Sequence, residues 1–265
     1  MELVGKQYFE SIEVDRYEDI KLNEQMIKKG ISEKNVYTLE WLEFDYSTLA
    51  IVQVCLHCDF EKAKEYYYTA SLIRTWIIEN YAKYREQISV NMVTTYSYLT
   101  LYYGILSGNF EHAKYRATLF GKYSELETDE FEANMLLGYT LKYVILNDKE
   151  NALIWSDKLN KLKDKRGMKQ LVAGHGRAMW GLIEMDEKEF NAGLQTMLKN
   201  HVGRMKKSGD ALEEYFAFDS VALAMLAKER GIQITVKHDL LPMEYLEYTN
   251  IDYKKIEEKC KFENY

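Results

Sequence analysis

Two cysteines at the spacing of a redox or metal-binding pair are the first candidates for chemistry in this sequence. Cys55 and Cys58 form a Cys-x-x-Cys motif with His57 inside it, at the end of a predicted helix. A redox dithiol favours the start of a helix, where the dipole lowers the thiol pKa, and a structural zinc site needs a second pair of ligands. The third cysteine, Cys260, stands far along the chain. We therefore interpret the motif as small buried apolar side chains and expect neither a metal nor a cofactor.

A histidine and an arginine among glycines form the second candidate. Gly174-His175-Gly176-Arg177 has the residue types of a catalytic loop, but it lies inside a helical pattern that continues through Trp180. Glycines on a packed helix let a neighbouring helix approach closely, and we favour that interpretation. The sequence lacks the phosphate-binding loop, nucleophile-elbow, zinc-protease and dinucleotide-binding motifs. We expect no enzyme, although a motif search leaves a carboxylate-based helical hydrolase open.

A single carboxylate interrupts the most apolar segment of the chain. The run from Tyr215 to Ala227 is apolar nearly all round, which predicts a helix in the centre of the fold. An ionised Asp219 there is costly unless it is paired, so we expect a basic partner. The candidates are His201, Arg204, His175 and Arg177. The favoured role of Asp219 and His201 is that of buried polar residues that tie helices together, and a ligand-binding or catalytic role is the alternative.

Acidic side chains are concentrated in one turn between two predicted helices. They are Glu125, Glu127, Asp129, Glu130 and Glu132. A charge run is usually a solvated face. If a basic partner binds by electrostatic attraction, this turn is the surface where we first expect contact. These five residues are the sequence-level candidates for partner binding.

The elements that must position these side chains are helices. From about residue 36 to residue 230 the apolar residues recur at helical spacing. With 14 glycines and one proline in 265 residues, the chain has too few turn-forming residues for a β-sandwich or β-barrel of short strands. The sequence therefore predicts an all-α protein.

Similar turns divide this region into helical hairpins. A capping residue begins each new helix, and an alanine follows a few residues later; the caps are Asp59, Asn109, Asn147 and Asp186. Their spacing of roughly 40 to 50 residues is typical of stacked antiparallel hairpins, so we predict a TPR-like, α-solenoid-like array. One domain should cover residues 1–265, with a weakly helical segment over 1–30, the hairpin array over 36–230, and a connector with short helices over 231–265. The β-branched residues 232–236 predict an extended connector that could form a short β-ribbon.

Composition narrows the functional classes. The chain has 42 Asp and Glu against 35 Lys and Arg, a formal net charge of −7, which argues against a nucleic-acid-binding protein. It shows no apolar run long enough to span a membrane and no signal-peptide pattern at its start. Three cysteines fit a reducing compartment. We expect a cytoplasmic protein that contacts neither nucleic acid nor membrane, with its oligomeric state left open.

The C-terminal part of the sequence carries a family resemblance. It rests on Leu198-Lys199-Asn200-His201, the helix Glu214–Ala224, Arg230-Gly231-Ile232 and the segment Asp239–Leu246. Over Met197–Leu246 the chain resembles the immunity protein 49 family of bacterial polymorphic toxin systems, and it is also similar to the immunity proteins of PoNe-type DNase toxins. The resemblance implies an all-helical cytoplasmic protein that binds a cognate toxin and blocks it without catalysis.

Three functions are compatible with these features. An immunity protein would have one tight, stoichiometric partner, and the excess of acid suits a basic toxin such as a nuclease. A TPR-like adaptor or regulator would bind a peptide or protein in a concave groove with weaker affinity. A helical enzyme would gather polar groups with shifted pKa values in a deep pocket. We favour the immunity protein, with a cognate toxin as its partner.

Overall fold

The computed structural model describes residues 3–127, 132–165, 168–208 and 211–262, and α-helices make up most of this part of the chain. The all-α prediction is confirmed. The helices are α1 (Leu3–Ile27), α2 (Thr38–Val52), α3 (Phe60–Tyr84), α4 (Leu101–Leu106), α5 (Phe110–Leu119), α6 (Glu132–Leu146), α7 (Lys149–Asn160), α8 (Met168–Leu171), α9 (Arg177–Glu184), α10 (Glu187–Ser208), α11 (Ala211–Glu214), α12 (Phe218–Glu229) and α13 (Tyr253–Lys259).

The turns between helices share one local geometry. A residue with positive φ ends each preceding helix, and these residues are Cys58, Gly108, Asn147 and Met185. The next residue then caps the new helix by accepting a hydrogen bond from the N–H three positions later, at 2.9 to 3.1 Å. The caps are Asp59, Asn109, Asp148 and Asp186. The prediction of Asn147 as a cap was wrong by one residue, because Asn147 takes the left-handed position and Asp148 follows it as the cap.

Small residues bring neighbouring helices close together. A Cβ added to Gly181 of α9 would lie 2.4 Å from the backbone nitrogen of Phe190 in α10. A Cβ added to Gly193 of α10 would lie 2.3 Å from the backbone nitrogen of Ala178 in α9. These positions require glycine, since any larger residue would force the two backbones apart.

The core is organised around α12. Every residue from Asp219 to Ala227 is buried, as the all-round apolar pattern predicted. Consecutive helices pair, as in α2 with α3, α6 with α7 and α9 with α10, but α12 also packs on α4, and α13 packs on α3. A strict solenoid lacks such contacts, because each of its repeats touches only its neighbours.

Several predicted helices are interrupted. Residues 89–107 lie within the region of helical apolar spacing, but they contain two short 3₁₀ turns, Val90–Met92 and Thr95–Thr100, before α4 begins. A π-helical turn, Val172–Gly176, separates α8 from α9. The segment over residues 1–30, predicted as weakly helical, contains one continuous helix, α1.

The connector after α12 is not a sheet. Residues 232–236 form no β-strand in the described structure, so the short β-ribbon did not form there. A single bridge between His238 and Leu241 is the local β contact. Within the described part of the chain, no helix is both long and apolar enough to cross a lipid bilayer.

Candidate functional site

The buried carboxylate of Asp219 joins two helical elements. Asp219 is 6% exposed in the first turn of α12, and its Oδ2 lies 2.8 Å from His175 Nε2 in the π-helical turn. Its Oδ1 accepts from the backbone N–H of Ser220 at 2.6 Å and from the Ser220 hydroxyl at 3.2 Å. Of the four basic partners expected from the sequence, His175 makes the direct contact. The arrangement fixes the start of α12 against the α8–α9 segment.

Two further basic groups act on Asp219 through their charge. Burial alone would raise the pKa of the Asp219 carboxyl, but the hydrogen bond and charge of His175 outweigh burial, and His201 and Arg204 add to the effect. The net result is a pKa below the ordinary aspartate value, so the carboxyl is ionised at neutral pH. His201 is buried on α10, and its Nδ1 lies 3.2 Å from Arg204 Nη2. The remaining candidate, Arg177, points elsewhere and forms a two-pronged pair with Glu189 at 2.6 and 2.9 Å.

The acidic turn is only partly available to a partner. Glu125 is exposed in the short helical turn Ser124–Leu126. Glu127 is half-buried and accepts from the Tyr139 hydroxyl at 3.3 Å, and burial raises the pKa of its carboxyl. Glu132 pairs with Lys165 at 2.7 Å. The other two predicted residues, Asp129 and Glu130, lie outside the described residues.

The Cys-x-x-Cys motif is split by the helix end. Cys55 is half-buried, and burial raises the pKa of its thiol to about 12, while Cys58 is exposed and occupies the left-handed position before the cap of α3. The intervening His57 lies 2.9 Å from Glu13 of α1. A thiol with a raised pKa is a poor nucleophile at neutral pH. The interpretation as small buried side chains fits Cys55 but is wrong for Cys58. Over the described ranges, no group of three or more His, Cys, Asp and Glu side chains could hold a metal ion.

A buried ionic cluster was not anticipated from the sequence. Arg74 of α3 donates two hydrogen bonds to Glu43 of α2 and one to the Met92 carbonyl at 2.7 Å, and the pair is nearly sealed from solvent. Arg116 of α5 is 1% exposed and donates to Thr100 Oγ1 at 3.1 Å. Burial, with the charge of Arg74 nearby, lowers the pKa of Arg116 to about 9. The cluster ties five segments together, namely α2, α3, α5 and the two 3₁₀ turns, and its members are spread along the sequence, so no local signal could identify them.

A cleft of about 790 Å³ opens between α1, α2, α3 and the C-terminal segment. Its inner wall includes Leu42, Tyr46 and Tyr66, and the Tyr46 hydroxyl donates to Glu24 at 2.6 Å. The lysines along its walls outnumber its two glutamates; they are Lys21, Lys28, Lys29, Lys62, Lys259 and Lys261. The cleft is therefore positively charged on a protein whose net charge is negative.

The comparisons with known proteins bear on the C-terminal part of the chain. A search of curated proteins and a search of solved structures found no match. A family model does match, and it extends about 50 residues further towards the N-terminus than the segments from which the resemblance was drawn. It takes in α7 through α12, including both His175 and Asp219. That model is described as Immunity protein 49 and matches residues 147–245, which confirms the resemblance of this part of the chain to the immunity protein 49 family.

Proposed function

We propose that this protein is an immunity protein that neutralises a cognate bacterial toxin by binding it stoichiometrically, without catalysis. The observation that carries the proposal is the family match over residues 147–245. The helical framework supports it, since packed helices offer a broad rigid surface for a protein partner. The toxin would act in the cytoplasm, and the two proteins would meet there.

The charge of the chain favours a basic toxin, and a nuclease is the enzyme class we propose. A nuclease that holds a phosphate backbone needs a positive surface, and a net charge of −7 complements such a surface. The similarity to immunity proteins of PoNe-type DNase toxins points to the same class. The complex would cover the active site of the toxin or the surface that holds its substrate.

The acidic turn stays the proposed electrostatic contact. Among its described members Glu125 is the best candidate, because Glu127 and Glu132 already have partners within the chain. An exposed carboxylate of this kind steers association more than it adds to final affinity. Glu125→Lys should therefore slow association with the toxin and weaken the dependence of that rate on salt. Asp239→Lys, a charge reversal at another exposed loop position, is the matched control.

A TPR-like adaptor is the alternative, and the lysine-lined cleft is the observation that favours it. The cleft has room for a short acidic peptide, and the affinity would be modest. An adaptor would bind several related peptides weakly, whereas an immunity protein binds one toxin tightly. Titration calorimetry gives the stoichiometry and affinity that separate the two functions.

Coexpression is the direct test of immunity. The toxin encoded beside the gene is induced in bacterial cells with and without this protein, and survival is counted. The protein should restore growth, and an equimolar complex should be recovered by gel filtration. If cells die in its presence and the purified proteins show no binding, the immunity function is wrong.

A further inference from the structure

Large apolar side chains are exposed along two adjacent helices at the N-terminal end of the fold. They are Leu22 and Met26 on α1, Tyr37 immediately before α2, and Trp41 and Phe44 on α2, with exposures of 59%, 39%, 42%, 59% and 52%. We refer to these five residues as the α1–α2 apolar face. Exposed single apolar residues are ordinary, but a contiguous group that includes a tryptophan is typical of protein interaction sites.

The spacing of these residues places them together. Tyr37, Trp41 and Phe44 are four and three residues apart, with Tyr37 already in helical conformation, so they share one face of α2. Leu22 and Met26 are four residues apart on α1 and share a face for the same reason. Contacts between the helices join the two faces.

Three contacts join α1 to α2 beside these apolar residues. The guanidinium of Arg16 lies 5.7 Å from the centroid of the Phe44 ring. The side-chain amide of Asn23 lies 3.3 Å from Asp45, beside Phe44. At the other end, the side-chain amide of Asn35 donates to the Met26 carbonyl at 2.9 Å, close to Tyr37. The five apolar side chains therefore border one continuous surface.

Carboxylates of α1 lie along one edge of this surface. Asp15, Glu18 and Asp19 are exposed or half-exposed and precede Leu22 by three to seven residues, so they lie along the same side of the helix. Arg16 shows how the surface holds a guanidinium: it lies near the Phe44 ring while pairing with Asp19 at 3.1 Å and with Asp45 at 2.6 Å. An aromatic ring flanked by carboxylates is a binding arrangement for arginine.

We propose that the α1–α2 apolar face is a docking surface for a basic protein, with arginine or lysine side chains of that partner packing on Trp41 and Phe44 and pairing with Asp15 and Glu18 of α1. This inference rests on the proposed immunity function, because the partner is the toxin. A second copy of this chain fits the surface less well. Symmetric self-association would bring the carboxylates of α1 against another acidic protein, and like charges across an interface oppose binding.

The test compares two double variants of the full chain. Trp41→Ser with Phe44→Ser removes the centre of the face, and Ile154→Ser with Tyr248→Ser removes apolar side chains that are also exposed, at 47% and 91%, elsewhere on the surface. Affinity for the catalytically inactivated toxin encoded beside the gene is measured by biolayer interferometry. The first pair should weaken binding by at least about 30-fold, as expected for aromatic residues at the centre of an interface. The control pair should leave affinity unchanged within a factor of about three.

Hydroxyl-radical footprinting provides a readout that needs no variant. Trp41, Phe44 and Met26 should be labelled in the free protein and protected in the complex, while Ile154 stays labelled in both. Circular dichroism and gel filtration of each variant check its fold and its oligomeric state.

Each outcome decides a separate point. If the Trp41 and Phe44 pair binds like the wild type and the footprint is unchanged, the docking surface is wrong while the immunity function stands. If the free wild type is a dimer that the same pair of substitutions makes monomeric, with toxin binding intact, the surface belongs to a second copy and the proposal is overturned. If the wild type neither binds nor protects, the immunity function itself fails, and the toxin-docking role fails with it.

Discussion

Truncation of Asp219 is the sharpest test of how the core is held together. Asp219→Ala removes a buried carboxylate that accepts hydrogen bonds from His175 Nε2 and from the backbone and hydroxyl of Ser220. The Ser220 donors have no exposure to solvent, and the His175 side chain is only 12% exposed. Neither partner can fully replace the lost bond with water.

The expected cost follows from these contacts. Removing the buried carboxylate leaves three donors without their acceptor, and each buried donor left in this way costs about 1–3 kcal/mol. We therefore expect Asp219→Ala to lower the free energy of unfolding by about 3–5 kcal/mol. Asp219→Asn retains an acceptor oxygen and should cost less, about 1–2 kcal/mol. Asp219→Leu should be milder than Asp219→Ala only if His175 can reach water in the variant.

Urea denaturation followed by circular dichroism measures these changes as shifts of the midpoint at constant slope. Glu189→Ala is the matched control, because it also removes a carboxylate that is hydrogen-bonded to a basic residue, Arg177, but at an exposed site. It should cause a clearly smaller change. If Asp219→Ala lies within 1 kcal/mol of the wild type, judged against the cost of breaking a buried pair, the carboxylate does not tie α12 to its neighbours and the reasoning is refuted.

The pH dependence of the same variants gives an independent check. The pKa of Asp219 is lower in the folded protein than the value of about 3.9 in an unfolded chain. At acid pH the unfolded chain then binds more protons, so stability rises with pH in that range. The contribution of Asp219 should be complete above about pH 5, where the carboxyl of the unfolded chain is also ionised, and should decline as the pH falls further. The stability difference between wild type and Asp219→Asn should shrink accordingly below that pH, and a difference that grows on acidification would contradict the assigned direction.

Three further perturbations test the rest of the core by urea or thermal unfolding. Glu43→Ala should destabilise by about 3–5 kcal/mol because it leaves Arg74 buried without its carboxylate, and Glu43→Gln should cost less. Gly181→Ala should cost about 2 kcal/mol or more through collision with the backbone of α10, whereas Gly203→Ala, where an added Cβ meets nothing within 4 Å, should be neutral or stabilise by up to about 1 kcal/mol. Burial, together with the charge of Arg116, lowers the pKa of His112 to about 4. On acidification the unfolded chain is therefore protonated at this histidine before the folded protein is, and the free energy of unfolding should fall by roughly 1–2 kcal/mol from pH 7 to pH 5. His112→Gln should abolish this loss.

The helix boundaries were predictable where the signal is local. The turns that carry Asp59, Asn109 and Asp186 are set by a capping side chain and the residue before it, and both are visible in the sequence. The central position of α12 was predictable because its apolar residues leave no polar face. The prediction of Asn147 missed by one residue because Asn and Asp stand side by side there, and both residue types suit either position.

Residues 89–107 show where helical spacing misleads. The hydroxyls of Ser97 and Thr100 donate to carbonyls three residues earlier, at 2.7 and 2.8 Å, and such bonds compete with a regular α-helix. Short 3₁₀ turns form there instead, because their hydrogen bonds also join residues three apart. Apolar periodicity cannot distinguish these two outcomes over one or two turns.

The candidate sites were likewise predictable from the sequence only in part. That Asp219 needs a basic partner follows from the cost of burying a charge, but the choice of His175 depends on how the π-helical turn packs against α12. Trp41 and Phe44 are apolar residues in an apolar-rich helix, and sequence alone gives them the same status as the buried Leu42. Only the packing of α1 on α2 determines that they are exposed.

The family match and the proposed binding surfaces occupy different parts of the chain. Residues 147–245 contain α12 and the Asp219–His175 pair, which hold the framework together. The acidic turn and the α1–α2 apolar face both lie before residue 147. Specificity is a difference in affinity between partners, and it is set by the side chains at the contact rather than by the scaffold behind them. Variants of the α1–α2 apolar face should therefore change which toxin is bound while leaving the free energy of unfolding unchanged, and variants of Asp219 should do the reverse.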